Sequence, residues 1–280
     1  RFNKEEDMTD QRTIIITGAS DGIGAASARQ LAAKGHRVVV VGRSPEKTAA
    51  VASALGAPFH VADFAELAQV RSLASDLLGH YPRIDVLVNN AGGVFTHQVT
   101  TDGFEKTFQV NHLAPFLLTH ALMGRLLESR AKVIQTSSIA HRAYGHIDLD
   151  DLANPRKWSP HKAYGDSKLA NVLFTRELHR RFHGLGINAV SFHPGGIATN
   201  FANDTTSPMR FVYHSPIARL LTSVETGGAR LTWLVDGTPG STWQPGGYYE
   251  RNRPGRVNPQ ARDDGLAEGL WARSEALLGL

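Results

Sequence analysis

The run Thr13-Ile14-Ile15-Ile16-Thr17 leads directly into Gly18-Ala19-Ser20-Asp21-Gly22-Ile23-Gly24 and then into an Ala- and Leu-rich stretch ending at Lys34 and Gly35. No other feature restricts the fold as much. A short β-branched run with no polar alternation has no face to offer water, so it reads as a strand buried on both sides. The stretch from Ile23 to Lys34 reads as a helix that Gly35 stops. Between them, Gly18 permits a tight turn, Gly22 lets backbone approach a pyrophosphate, and Gly24 lets the helix pack closely on the sheet. The helix turns its unpaired N–H groups and the positive end of its dipole towards that turn. An ordinary glycine turn is the bland alternative, and the strand before it and helix after it favour a nucleotide cradle that includes Ser20, Asp21 and Ile23.

The same beat repeats along the 280 residues. Strands are expected at 37–41, 59–62, 84–89, 131–137, 187–193 and 247–249. Helices are expected from Pro45, over 66–78, in one or two pieces over 102–128, and over 164–182, 224–235 and 266–278. Alternation of this kind implies an α/β fold, a doubly wound parallel sheet with helices on both faces. Residues 1–11 read as a disordered tail, with Met8 a candidate native start, and 12–280 as one domain. Two polar segments break the beat, around 140–160 and 195–219. Loops of that length are usually lids or binding segments. Arg142, Tyr144, Trp158, Phe201, Met209, Phe211 and Tyr213 lie in them, as pocket lining or as loop-to-core packing.

Composition closes off several classes. Hydrophobic residues are 41% and charged residues 20%, which excludes disorder as the main state. Cys is 0, so disulfides, thiolate zinc sites and thiol nucleophiles are excluded. The net charge of +4 is scattered, with no basic–aromatic strip, so nucleic-acid binding has little support. No stretch approaches the roughly 18 apolar residues of a membrane span, and the expectation is a soluble, cytoplasmic chain. His141 and His193 read as loop residues, not metal ligands.

The second strand ends Val41-Gly42-Arg43-Ser44. An acidic residue here would hydrogen-bond an adenosine ribose. Gly42 cannot, and the Arg43 guanidinium that follows suits a 2′-phosphate, so NADP(H) is expected over NAD(H). A solvated surface Arg is the alternative, and Asp21 argues the other way, since it would repel that phosphate.

Tyr164 and Lys168 are four residues apart, on one helix face. A phenol is a poor acid or base at neutral pH, but a cation beside it favours the phenolate. Such a Tyr can give a proton to a nascent alkoxide or take one from an alcohol. Ser137-Ser138 closes the fifth strand, at the edge where doubly wound sheets place their ligands. Ser138 is the candidate to hold a carbonyl oxygen against Tyr164; strand-end capping is its plainer role. Asn90, Ala91 and Gly92 end the fourth strand, where small residues fit a cofactor lying across the sheet edge. Asn111, mid-helix, either kinks the helix or serves a water chain. Pro194 and Gly195 force a turn after the sixth strand, and backbone near Ile197 and Thr199 reaches towards a carboxamide.

Together, the Thr17 glycine turn, Asn89-Asn90-Ala91-Gly92, Asn111, Ser138, and Tyr164 with Lys168 resemble the short-chain dehydrogenase/reductase family from about residue 12 onward. That resemblance implies one Rossmann sheet of about seven parallel strands. It implies that Asp63, with Phe64 next to it, approaches the adenine, and that Ser44 joins Arg43 at the ribose end. Asn111 would support a proton relay. Lys168 would bind the nicotinamide ribose and lower the Tyr164 pKa, and Ser138 and Tyr164 would hold the substrate oxygen. The runs Asn111-His112-Leu113-Ala114-Pro115-Phe116, Ser137-Ser138-Ile139-Ala140-His141 and Ser167-Lys168-Leu169-Ala170-Asn171 resemble the retinol dehydrogenase-like branch, without a membrane anchor. This implies an NADP(H)-dependent enzyme for a small hydrophobic carbonyl or alcohol, as a monomer or homodimer. The alternatives are a non-catalytic redox sensor and a dehydratase or epimerase on the same scaffold.

Overall fold

The computed structural model describes residues 11–153, 156–196 and 222–280. Strand β1 (Thr13–Thr17) leads through the glycine turn into α1 (Gly22–Ala33). There follow β2 (Arg37–Gly42), α2 (Pro45–Leu55), β3 (Phe59–Val61), α3 (Leu67–His80) and β4 (Val86–Asn89). A short α4 (Lys106–Phe108) runs through a π-helical turn (Gln109–Leu113) into α5 (Ala114–Ala121), then α6 (Met123–Glu128) and β5 (Lys132–Thr136). The second half holds α7 (Ala140–Ala143), α8 (Pro160–Phe182), β6 (Asn188–His193), α9 (Val224–Asp236), β7 (Tyr248–Glu250), β8 (Arg253–Pro254) and α10 (Asp264–Leu278).

The strands form one sheet in the order β3-β2-β1-β4-β5-β6-β7-β8. The pairs from β3 to β7 are all parallel, and β8 runs antiparallel to β7. The doubly wound class is therefore as expected, with a two-residue eighth strand added. Chain progression reverses between β1 and β4, so the carboxyl ends of these strands form the crevice where such sheets bind ligands.

Strand pleating divides the core. Ile14, Ile16, Val38, Val40, Val86 and Val88 face α1 and α9. Ile15, Val39, Leu87, Val133 and Ala189 face α3, α5, α8 and α10. Burial on both faces holds for the central strands but not for β3, whose Phe59 is 45% and Val61 41% exposed. An edge strand has only one neighbour, and the helices do not reach around it.

Helix starts follow local chemistry. Ser44 accepts from the Lys47 N–H and Pro45 opens α2. Ser159 accepts from the Lys162 N–H and Pro160 opens α8, one turn before the expected Tyr164 start. The apolar pattern does not begin until Ala163, so the cap set the boundary. The expected 140–160 loop is also corrected: α7 lies inside it, and Pro160 belongs to α8.

The carboxyl-terminal helix α10 lies across α5 and α8. Trp271 stacks on Phe174 with centroids 5.6 Å apart and meets Phe116 edge-on at 4.9 Å. The Arg181 guanidinium lies 4.9 Å over the same indole. Arg176 pairs with Asp264 at 2.8 Å, and Arg180 reaches Glu268 at 3.4 Å. Replacing Trp271 by Ala leaves a cavity between three helices; the expected loss is about 3–5 kcal/mol of folding stability, read as a lower urea midpoint.

Candidate active site

Three strand ends are tied together by one side chain. Asn90 Nδ2 donates to the Thr17 and Gly18 carbonyls at 3.0 and 3.2 Å, and Asn90 Oδ1 accepts from Thr136 Oγ1 at 3.1 Å. Thr17 Oγ1 donates to Val88 O and accepts from the Asn90 and Ala91 amides. The Asn90 side chain is thus committed to shaping the edge.

The glycine turn shows why a side chain would not fit. Gly18 and Gly22 have φ of +64° and +55°, the left-handed region. A Cβ on Gly24 would lie 2.3 Å from Gly18 O and 2.7 Å from Asn90 Nδ2. The start of α1 therefore packs directly on the turn, and its first-turn amides have no acceptor within the helix. Asp21 caps α1 by accepting from the Gly22 N–H at 2.7 Å, and its other oxygen lies 3.5 Å from Lys47 Nζ. The carboxylate that seemed set against a phosphate is thus partnered by a cation.

A Cβ on Gly42 would meet Thr48 Oγ1 at 2.3 Å and Ser20 Oγ at 2.8 Å, so no acidic side chain fits at that position. Arg43 beside it is exposed. Ser44 caps α2, so its hydroxyl is engaged there. Asp63 Oδ1 accepts from the Ala65 N–H at 2.9 Å. The Phe64 side chain lies in the core, 4% exposed, away from the crevice surface. Pro194 and Gly195 follow β6, where Arg230 Nη1 donates to Pro194 O at 2.6 Å. Ile197, Thr199, Phe201, Met209, Phe211 and Tyr213 lie outside the described residues, as does the expected tail apart from Gln11.

Two of the remaining candidates, Asn111 and Lys168, meet beside Gly92. A Cβ there would be 2.8 Å from Asn111 Oδ1 and 3.3 Å from Lys168 Nζ. Asn111 sits in the π-helical turn, a distortion frequent at functional sites. Its amide is clamped, accepting from Gly93 N at 2.8 Å and donating to Gly93 O at 2.9 Å and Ser167 Oγ at 3.0 Å. Lys168 is 2% exposed, and its Nζ donates to Thr136 O at 3.1 Å. The same Nζ lies 5.4 Å from the centre of the Tyr164 ring. Burial alone pulls the amine down from 10.5 to about 7. Ser138 is buried one residue beyond Ser137, whose hydroxyl donates to Lys168 O at 2.8 Å. Ser138 Oγ accepts from the Ala140 N–H at 3.2 Å.

Of the described pocket candidates, Trp158 donates from Nε1 to the buried Glu105 at 3.2 Å, which is loop-to-core packing. Arg142 bridges Glu250 and the Arg256 carbonyl, and Tyr144 is 53% exposed. Sequence reasoning missed Arg230 and Asn258. Asn258 Nδ2 donates to the His141 and Gly145 carbonyls, both at 2.8 Å, and so holds α7 from more than a hundred residues away. No local pattern signals such a contact. Among the described residues there is no cluster of three metal-ligating side chains. Nor is any described helix long and apolar enough to cross a membrane.

Residues 12–210 match the family model described as short chain dehydrogenase. The chain belongs to the short-chain dehydrogenase family. It is 44% identical over 276 residues to "Putative daunorubicin C-13 ketoreductase DnrU" of Streptomyces sp. (strain C5), covering 96% of this chain and 93% of that one. It is 36% identical over 293 residues to human retinol dehydrogenase 13, covering 96% and 85%. A crystal structure of an uncharacterized protein from Mycobacterium Paratuberculosis is similar at a TM-score of 0.77 and 33% identity, covering 96% and 94%. These relatives place the chain in the retinol dehydrogenase-like branch of the family. As a short-chain dehydrogenase it is an oxidoreductase that uses a nicotinamide cofactor. The left-handed glycines and the close packing at Gly24 and Gly92, which leaves no room for a side chain, fit such a group.

Burial of Lys168 has a consequence for stability. Its folded pKa of about 7 lies below the 10.5 of an exposed Lys. Between those values the unfolded chain binds more protons, so folding becomes more favourable as pH rises, and the penalty is complete only below about pH 7. Ligand-free protein is expected to gain stability relative to its Lys168→Met variant between pH 7 and 10, by up to a few kcal/mol. A difference in urea midpoints that stays flat with pH contradicts this.

Proposed function

We propose that the chain is an NADP(H)-dependent oxidoreductase that transfers a hydride between nicotinamide and a small hydrophobic ketone, aldehyde or alcohol. The observation that carries this reading is the buried Lys168 amine beside the Tyr164 ring, at the same strand edge as Ser138 and Asn111. When protonated, Lys168 favours the phenolate, the direction that proton transfer at the Tyr164 hydroxyl requires. Ser138 holds the carbonyl oxygen, and Tyr164 gives it a proton on reduction or takes one on oxidation. Asn111, clamped between Gly93 and Ser167, keeps the α8 backbone in line and supports proton exchange behind Lys168. The bound nicotinamide supplies or receives the hydride; that chemistry is its own.

Gly18, Gly22 and the first-turn amides of α1 receive the pyrophosphate, and Ala91, Gly92, Pro194 and Gly195 border the rest of the cofactor. Arg43, with Ser44 next to it, takes the 2′-phosphate. The Lys47 partner of Asp21 supports this, because it offsets the carboxylate nearest that phosphate. Names carried by two relatives, a ketoreductase and a retinol dehydrogenase, support carbonyl and alcohol chemistry. Helix α10 covers α5 and α8, which supports a monomer over a pair formed through those helices.

The test is thermal unfolding with NADPH and NADH, followed by carbonyl turnover. NADPH at roughly 100 times its dissociation constant should add about 2.7 kcal/mol, or about 5–10 °C. The shift should exceed that with NADH and fall in Arg43→Ala. Tyr164→Phe should keep the NADPH shift and lose turnover by at least ~100-fold. No shift with either nucleotide, or full turnover in Tyr164→Phe, overturns the reading.

A further inference from the structure

His112 is a polar side chain among aromatic ones. It is 1% exposed, with the rings of Phe108, Phe116 and Phe174 at centroid distances of 5.0, 6.0 and 6.4 Å. Burial drives its pKa down to about 3, so the ring is neutral at physiological pH. Its hydrogen bonds go to two other helices. Ser274 of α10, itself fully buried, donates its hydroxyl hydrogen to Leu270 O at 2.8 Å. The Ser274 oxygen therefore accepts from His112 Nε2, 3.0 Å away. The Asn171 side chain of α8 also hydrogen-bonds the ring.

Both connections lead back to the site. His112 follows Asn111 within the π-helical turn, which closes with the Ala114 N–H donating to Gln109 O. Asn111 Nδ2 donates to Ser167 Oγ at 3.0 Å, and that hydroxyl donates to the Tyr164 carbonyl at 2.8 Å. Asn171 Nδ2 donates at 3.3 Å to Thr136 O, the carbonyl that also accepts from Lys168 Nζ at 3.1 Å. Stability alone does not call for an imidazole here. A buried hydrogen-bonded pair adds little net stability over apolar groups of the same shape, and a phenyl ring would suit these neighbours. The hydrogen bonds add direction. Apolar contact is non-directional, whereas a hydrogen bond fixes both a distance and an angle.

We propose that His112 is a positioning residue for proton transfer: by tying the π-helical turn to Ser274 it sets Asn111 against Gly93 and Ser167, and it makes α10 part of the site. This rests on the role given to Asn111 above. The contact through Asn171 acts in the same direction, on the carbonyl that holds Lys168. Misplacing such a group by about 1 Å is enough to slow a reaction without loosening substrate binding.

The experiment measures acetophenone reduction with NADPH, alongside amide hydrogen exchange over residues 109–113. His112→Phe keeps a ring and removes its hydrogen bonds. It should lower kcat by about 10-fold, with KM and the NADPH thermal shift unchanged, and speed exchange over 109–113 by a similar factor. His112→Gln, whose amide can still donate towards Ser274, should restore most of both. Ser274→Ala should lower kcat in the same direction, and the double variant with His112→Phe should be no slower than His112→Phe alone, because one contact is removed twice. Full kcat in His112→Phe, no rescue by Gln, or losses that multiply in the double variant overturn the proposal. If His112→Phe does not fold, Ser274→Ala decides: faster exchange over 109–113 with reduced kcat supports the proposal, and wild-type values overturn it. If the wild type itself turns over no ketone, that counts against the oxidoreductase reading. Exchange then decides the positioning: a turn loosened in His112→Phe and restored in His112→Gln supports it, and unchanged exchange overturns it.

Discussion

The site hangs on a line of buried and part-buried hydrogen bonds that crosses three strand ends. Asn90 donates to the Thr17 and Gly18 carbonyls and accepts from Thr136 Oγ1. The Thr136 carbonyl in turn accepts from Lys168 Nζ and Asn171 Nδ2. Thr136 is therefore the node between the glycine turn on β1 and the Tyr164–Lys168 pair on α8. The interior dielectric is low, so each of these bonds is electrostatically stronger than it would be in water, and each unmade one is costly. The line holds the glycine turn and the Tyr164–Lys168 pair at a fixed separation, which the proposed reaction between a cofactor and a substrate requires.

That line has a price in charge burial. Among the described residues Lys168 Nζ donates to the Thr136 carbonyl and pairs with no carboxylate, and burial lowers its pKa to about 7. The surrounding fold sustains the cost through its two apolar layers and through α10, whose Trp271 is packed by Phe116, Phe174 and Arg181. His112, one residue past Asn111, hydrogen-bonds Ser274 of α10 at 3.0 Å. The outermost helix thus touches the π-helical turn that presents Asn111. Core packing and site geometry are joined there.

Much of the fold was legible because its signals are local. β1 and the opening of α2 at Pro45 fall where periodicity and capping put them, since an apolar run and a Ser-Pro pair act within a few residues. The pairing of Tyr164 with Lys168 was legible for the same reason, being one helical turn. What escaped was non-local or irregular. The α8 start depended on Ser159 and Pro160, ahead of the apolar stripe. The β8 pairing involves two residues, too few for any period. The side chain of Phe64, which the resemblance set beside Asp63 at the adenine, lies in the core, a burial that no local pattern announced. Asn90, read as a cofactor contact, spends its side chain on backbone carbonyls.

The amino-acid sequence by itself determined the doubly wound order of elements, the glycine cradle and the residue types available for proton transfer, because these depend on short-range sterics and on hydrophobic period. Tertiary structure alone decided which polar groups are buried, and therefore how strongly they are perturbed. Lys168 is an ordinary surface-type residue until Thr136, Gly92 and Asn111 close around it. His141 and Tyr248 stand 107 positions apart in the chain, and only the parallel pairing of β6 with β7 and the turn into α7 bring their rings to 4.7 Å. Desolvation and hydrogen-bond complementarity belong to neighbours in space, and a linear pattern does not encode them.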